Sequence, residues 1–378
     1  MKVGRCMKKI KLCYIINSFK NCGPCNIVLS MIRGIDREKF DVSLINLLND
    51  NDEEYIKILN DLDVKVINLN FSKGFKTLLK GSEISKIINK YDFDIIHVHG
   101  HITAMLTKNV SAYKVLTVHN KLYEDFKNSY GPIKGLIINW LYINAMKKFD
   151  KVVACSKSSY LKCKKNIKDC TYINNGIWFK NVDKKEISNI RAKIRNELDI
   201  PKDARVYIFA GKYSNIKNVE TMLNFFSKSL NEDEYLISLG DGALYSKCQV
   251  FSSKKIKQLG FKNNVQEYMM ASDVYVSFSY TEGFPVSIIE ALHYGLTLLL
   301  SDIDSHVDII NMNKNYYIGE YFENDNFESF MYKKNLIENS KPNDSKKFQN
   351  SYLSADTMMR EYQKVYFEFA EREKKNND

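Results

Sequence analysis

The chain has 378 residues, 44% of them hydrophobic and 27% charged, enough apolar material for about two domains at roughly 150 residues each. That excludes a disordered protein and a small disulfide scaffold, since the eight cysteines are spread through a chain with ample core and read as thiols. The net charge of +11 favours an anionic partner, whether nucleotide, phosphate, nucleic acid or acidic membrane face, without choosing among them.

The N-terminus is basic, but the apolar run behind it, Leu12 to Ile16, is too short for a signal-peptide core. A cytoplasmic location is therefore expected. From there, short β-rich runs alternate with helical patterns, as in βαβ units with helices on both faces of a parallel sheet. The expected strands are Lys9 to Ile16, Phe40 to Leu47, Val64 to Leu69, Asp94 to His99, Lys114 to Val118 and Lys151 to Cys155. Helices are expected at Glu53 to Leu62, Ser82 to Tyr91 and Pro132 to Lys148. The last of these contains the longest apolar stretch, Gly135 to Met146, well short of the ~20 residues that cross a bilayer.

The rhythm breaks between Asn174-Asn175-Gly176 and Pro201, where a turn signal precedes a charged helix, Lys184 to Leu198. A domain boundary is placed there, giving domains over 1–176 and 177–354. Alternation then resumes with strands at Val206 to Ala210, Tyr235 to Leu239, Lys257 to Leu259, Val274 to Phe278 and Thr297 to Leu300, and helices from about Val219 and Val286. The segment 355–378 carries Met359, Tyr362, Tyr366 and Phe369 at spacings of three or four, a helix with an aromatic face that must dock on something.

In such sheets ligands sit beyond the carboxyl ends of the strands, where helix N-termini offer N–H groups to anions. Three loops of the second half follow strands. The first, Gly211 to Asn218, offers a close-approach glycine with Lys212 and Lys217, and suits a diphosphate as well as it suits a solvated loop. The second, Gly240-Asp241-Gly242, is a GxG fragment without the third glycine of the dinucleotide fingerprint. The third is the most informative, with Glu282 and Gly283 in a turn, Pro285 near the first turn of a helix and Glu290 inside it.

With these residues the chain resembles the retaining GT-B glycosyltransferases of the large glycosyltransferase family 4. Glu282-x7-Glu290 within EGFPVSIIEAL is similar to that family's E-x7-E signature, and Gly211-Lys212 with Lys217-Asn218 resembles its diphosphate-holding residues. Gly240-Asp241-Gly242, Gly260 to Val265, Asp94 to His99, Thr117-Val118-His119 and Ile173 to Ile177 resemble further blocks, so the likeness runs from about residue 9 to 370.

The resemblance implies two Rossmann-like doubly wound domains facing across a cleft, with a C-terminal crossover helix packing back toward the N-terminal domain. It implies a nucleoside diphosphate sugar as donor (UDP-sugar favoured), a glycan or lipid-linked acceptor hydroxyl, retention of configuration, a hexosyltransferase in surface polysaccharide or glycoconjugate synthesis, and no cofactor or required metal. Glu282 would contact the donor sugar or its phosphate and Glu290 the ribose. The N–H groups of Phe284, Pro285 and Val286, next to Gly283, would face sugar and diphosphate. Lys262 and Val265 would lie near the base, Gly23 would let its loop approach the donor, and His119 would contact the sugar or stabilise the transition state. Catalysis would be mostly electrostatic, with Lys212, Lys217 and amides facing the departing diphosphate. The chain departs from the family in having Cys22-Gly23-Pro24-Cys25 for a Gly-Gly loop, Lys212 for a frequent arginine, and Ser305-His306-Val307-Asp308 for a Gly-Gly-x-x-Glu pattern. Base, sugar, acceptor, linkage and oligomeric state stay open.

Cys22 to Cys25 spells the thioredoxin tetrapeptide, but the chain is far larger than that unit. His97, His99 and His101 could share a strand face and a metal, though a polar strand end is preferred. Asp-x-Asp occurs four times, which makes the triplet uninformative. A nucleotide-sugar epimerase or a non-catalytic binding protein of the same fold is the main alternative. No nucleic-acid readout motif accompanies the basic charge. Trp140 and Leu141 with Lys134, Lys147 and Lys148 could contact the inner membrane face, although a helix buried in the first domain is the preferred reading.

Overall fold

In a computed structural model the described residues are 8–20, 22–48, 50, 52–72, 77, 79–119, 121–338 and 344–377; Cys6 lies outside them. The chain divides into two units, Met1–Trp178 with Ser354–Asp378, and Phe179–Leu353. The division falls at Trp178 and Leu353 because Ile177 bridges Ser354 and accepts the Ala355 N–H, holding both crossing points in the first unit.

The central strands of each unit are buried on both faces, which is why most of them read as apolar runs rather than as alternating ones. The first sheet contains β1 (Ile10–Ile16), β2 (Phe40–Leu48), β3 (Lys65–Phe71), β4 (Ile95–His99), β5 (Tyr113–Val118), β6 (Lys151–Ala154) and β7 (Cys170–Tyr172), all parallel, in the order β3-β2-β1-β4-β5-β6-β7. The second contains β8 (Arg205–Ala210), β9 (Glu234–Leu239), β10 (Ile256–Gln258), β11 (Val274–Ser277), β12 (Thr297–Ser301) and β13 (Gly319–Phe322), also parallel, in the order β10-β9-β8-β11-β12-β13. Both are doubly wound Rossmann-like sheets. Strand order reverses between β1 and β4 in one and between β8 and β11 in the other, and loops leaving such a pair diverge and leave a crevice at the carboxyl edge. The edge strands β7 and β13 escape a search for apolar runs because Cys-Thr-Tyr and Gly-Glu-Tyr-Phe are too short and mixed to stand out.

Buried charge fixes the reversal in the second unit. Arg195, in the helix Lys184–Glu197, is 3% exposed and donates to Asp273 at 2.9 Å and to the carbonyls of Ala271 and Ala204. Asp273 in turn accepts the Val206 N–H at 2.8 Å, so one guanidinium aligns the starts of β8 and β11.

The C-terminal helix Ala355–Asn377 docks on the first unit through the face expected of it. Tyr362 Oη lies 2.8 Å from Thr117 Oγ1, Tyr366 Oη lies 2.7 Å from His97 Nδ1, and the Phe369 ring meets Tyr113. The helix Pro132–Met146 differs from its preferred reading. Only Gly135, Tyr142, Ala145 and Met146 are buried, while its other side is open to solvent.

Candidate functional site

The second unit gathers its candidate residues at the carboxyl edge, around the β8/β11 reversal. After β8 the chain makes a 3-10 turn, Asn215–Lys217, and leaves it through Asn218, whose φ of 50° is left-handed and whose amide donates to Asp325 at 2.9 Å. The Tyr280 N–H donates to the Ile216 carbonyl at 2.9 Å, lacing this turn to the loop after β11. The lacing brings Lys217 onto Glu282 Oε1 as a mostly buried ion pair, which also accepts the Ser279 hydroxyl at 2.8 Å. Burial pushes the Glu282 carboxyl up, but the charges of Lys217 and of nearby His306, with the hydrogen bonds from Lys217 and Ser279, outweigh it and hold the group below its ordinary value.

Behind this pair lies a shell that sequence reasoning missed. Ser277 and Ser279 hydroxyls are 3.1 Å apart, Ser301 donates to the Ser279 carbonyl at 2.7 Å, and buried His306 places Nδ1 3.0 Å from the Ser301 carbonyl. His306 stands in the segment that breaks the Gly-Gly-x-x-Glu pattern, and that departure was the available signal.

The helix Val286–His293 starts at Pro285, its N-cap, without a side-chain cap. Pro285 has no N–H, so the expectation of an amide from that residue is corrected. The amides of Val286 and Ser287 have no acceptor among the described residues, which leaves a helix start with free N–H groups beside Gly283 and Phe284, of the kind that suits an anion. Glu290 lies within this helix, half-buried, with no cation or donor on its carboxylate among the described residues. Burial alone pushes it up to about 7.

A carboxyl whose folded value exceeds its unfolded one stabilises the fold fully below the unfolded value and loses that contribution as pH rises through the folded one. Glu290→Gln should therefore raise the thermal midpoint above pH 7, by on the order of 1–3 kcal/mol of stability, and leave it unchanged at pH 4. Parallel midpoint-versus-pH curves for the two proteins would refute this.

Gly211 and Gly240 meet backbone to backbone. A Cβ on Gly240, whose φ is +132°, would lie 1.8 Å from the Gly211 carbonyl oxygen. Lys212 is exposed and has no ion pair among the described residues. Val265 opens the helix Val265–Met270, next to half-buried Lys262. Phe261, 68% exposed, presents a ring on which a base could stack, a role its letter alone could not signal.

In the first unit, His99 ends β4 and His119 follows β5, with His99 Nδ1 2.9 Å from His119 Nε2. Burial pushes His119 down to about 4 and His99 well below its ordinary value, so both are neutral near pH 7. His97 is fully buried between Tyr366 and Thr117, and His101 begins the helix His101–Thr107. His97 and His99 share one face of β4, with ring centroids 4.4 Å apart, while His101 has left the strand, and no cluster of three metal-ligating side chains occurs among the described residues. Gly23 opens the helix Gly23–Gly34 after β1, and the flanking Cys22 and Cys25 are free thiols with sulfurs 3.1 Å apart.

Two family models cover these halves, one described as glycosyl transferases group 1 over residues 190–351 and one as glycosyltransferase family 4 over residues 24–177. Each half of the chain thus matches a glycosyltransferase model, and the chain is a glycosyltransferase with a group 1 domain in its second unit. An O-antigen biosynthesis glycosyltransferase of Escherichia coli, WclY, is 26% identical over 322 residues, 80% of this chain and 83% of that protein. An Escherichia coli UDP-Gal:alpha-D-GlcNAc-diphosphoundecaprenol alpha-1,3-galactosyltransferase is 23% identical over 350 residues, 85% and 86% of the two chains. The fold is GT-B: the crystal structure of Anabaena HepE in complex with UDP-glucose superposes with a TM-score of 0.75 at 15% identity, over 95% of this glycosyltransferase and all of that chain.

Proposed function

We propose that the chain is a retaining, metal-independent glycosyltransferase that moves a hexose from a UDP-sugar to a hydroxyl of a lipid-linked glycan during surface polysaccharide synthesis. The observation that carries the proposal is the Lys217–Glu282 pair beside the uncapped start of Val286–His293, a cation and free amides converging with a carboxylate. UDP is favoured by the ligand of HepE and by the donor in the name of the galactosyltransferase relative. That relative's acceptor is a lipid diphosphate, which would place this chain at the cytoplasmic face of a membrane. None of the relatives named above is an epimerase.

In this reading Lys212, Lys217 and the amides of Val286 and Ser287 hold the diphosphate, and Glu290 accepts hydrogen bonds from the ribose hydroxyls. The bond from the sugar's anomeric carbon to the diphosphate breaks while a bond to the acceptor oxygen forms on the same face. The acceptor proton passes to the departing phosphate. Charge grows on the diphosphate throughout, and fixed cations and amides stabilise it without reorganising.

A thermal-shift screen of UDP, GDP, ADP and their sugars tests the donor, because a ligand held only by the folded chain raises its midpoint. UDP-sugars should give the largest shift, and transfer to a synthetic lipid-diphosphate sugar should yield an α-linkage by NMR and persist in EDTA. No shift with any nucleotide, an inverted linkage or loss of turnover in EDTA would each overturn the corresponding part.

A further inference from the structure

The helix Pro132–Met146 is mostly apolar, interrupted by Lys134, Asn139 and Asn144, although one side of it is wet. Its inner side is pinned: Gly135 lies so close to the preceding helix, Tyr123–Tyr130, that a Cβ would fall 2.7 Å from the Lys127 nitrogen, and Tyr142 packs edge-on against Phe126 and His101. The opposite side carries Ile133, Leu136, Ile137, Trp140 and Leu141, between 43% and 76% exposed. At 100° per residue these five fall within one arc of about 140°. Solvent-facing helix surfaces normally carry charge, yet this helix has no acidic residue.

Its charges are basic and lie at the ends of the same arc. Lys134 is in the first turn, Lys147 and Lys148 follow the last, and Lys127 belongs to the preceding helix; all four are exposed. The nearest acids are engaged: Glu124 pairs with Lys162, Asp125 accepts the Lys121 N–H at 2.7 Å, and Asp150 pairs with Lys114 at 3.5 Å. The Lys162–Glu124 pair also joins to this region the helix Lys157–Cys163 and the exposed Lys164, Lys165 and Lys168 that follow it.

We infer that this face seats on an anionic lipid bilayer, with the five apolar side chains in the headgroup–acyl boundary and the lysines on lipid phosphates. The helix is about 22 Å long at ~1.5 Å per residue, and no helix of the described residues is long and apolar enough to cross a membrane, so it lies in the interface plane. Trp140 has the side chain that settles at that depth. The inference deepens the lipid-linked-acceptor reading by naming the surface that brings the enzyme to such an acceptor. Its test uses vesicles without any acceptor, so it can fail while donor binding stands, and donor binding can fail while it stands.

The full chain would be sedimented with phosphatidylcholine vesicles with and without 30% phosphatidylglycerol. Binding should be at least tenfold tighter to the anionic vesicles and should weaken at least tenfold between low and high salt. In Trp178→Phe, which leaves Trp140 as the remaining tryptophan, emission should shift to the blue and be quenched by brominated acyl chains. Leu136→Glu with Ile137→Glu, two exposed changes, should abolish binding while leaving the UDP-sugar thermal shift intact. Lys134, Lys147 and Lys148→Ala should lose the preference for anionic lipid. Equal binding to neutral vesicles, unquenched Trp140, or a wild-type dimer that Leu136→Glu with Ile137→Glu disperses in the absence of lipid binding would overturn the inference.

Discussion

Lys217→Met should lower kcat/KM for the donor by about 10²- to 10³-fold, the loss typical when a preorganised group facing developing charge is removed. Lys217 is held in place by the 3-10 turn, Asn218 and the Tyr280–Ile216 hydrogen bond. Its ammonium therefore needs little ordering when a diphosphate arrives. The substitution also strips Glu282 of its principal counter-charge, and the burial that now loses to Lys217 would then win and push that carboxyl up.

A second signature follows in stability. In the wild type the Glu282 value is lowered, so its contribution is present above the unfolded carboxylate range and is lost as pH falls through the lowered value. In Lys217→Met the dependence reverses, and the variant is weakest at neutral pH. Glu282→Gln on that background should restore neutral-pH stability without restoring turnover. A double-mutant cycle separates the pair's structural coupling from its catalytic one. Lys217→Met with more than a tenth of wild-type kcat/KM would remove Lys217 from the chemistry.

The strands that position this site were legible because a parallel sheet covered on both faces demands apolar runs, and the centres of β8 and β12 are such runs. Their boundaries are displaced by only a residue or two. Of the edge strands β3 and β10 were legible, but β7 and β13 were not, since half of what holds β7 or β13 in place is a neighbour rather than its own composition. The site divides in the same way. Glu282, Glu290 and Lys217 stand at fixed offsets from strand ends and can be read in one dimension. The shell of Ser277, Ser279, Ser301 and His306 joins two strands by hydroxyl and imidazole contacts, and nothing in the separate segments marks one for the other. The helix Pro132–Met146 misled for a related reason: composition signals apolarity, but only packing decides which face is covered.

Gly240→Ala should be strongly destabilising to the second unit. The Gly240 N–H donates to the Gly260 carbonyl at 2.8 Å and the Gly211 N–H donates to the Leu239 carbonyl at 3.0 Å, so the loops after β8, β9 and β10 are bonded to one another through their backbones. A methyl group 1.8 Å from the Gly211 carbonyl oxygen has no flexible side chain to displace. Relief requires breaking those hydrogen bonds and moving the loop that carries Lys212 and Lys217. A cost of about 4 kcal/mol or more is expected, in the range kept for changes that break backbone packing. Gly295→Ala is the matched control: its φ is also positive, at +83°, but nothing lies within 4 Å of the added carbon, so only the left-handed strain of about 1–2 kcal/mol applies. Hydrogen exchange read on peptides of the second unit would rank the two. A Gly240→Ala protein with near-wild-type protection would mean that the loops accommodate the methyl group, and that Gly240 is there for ligand approach rather than for packing.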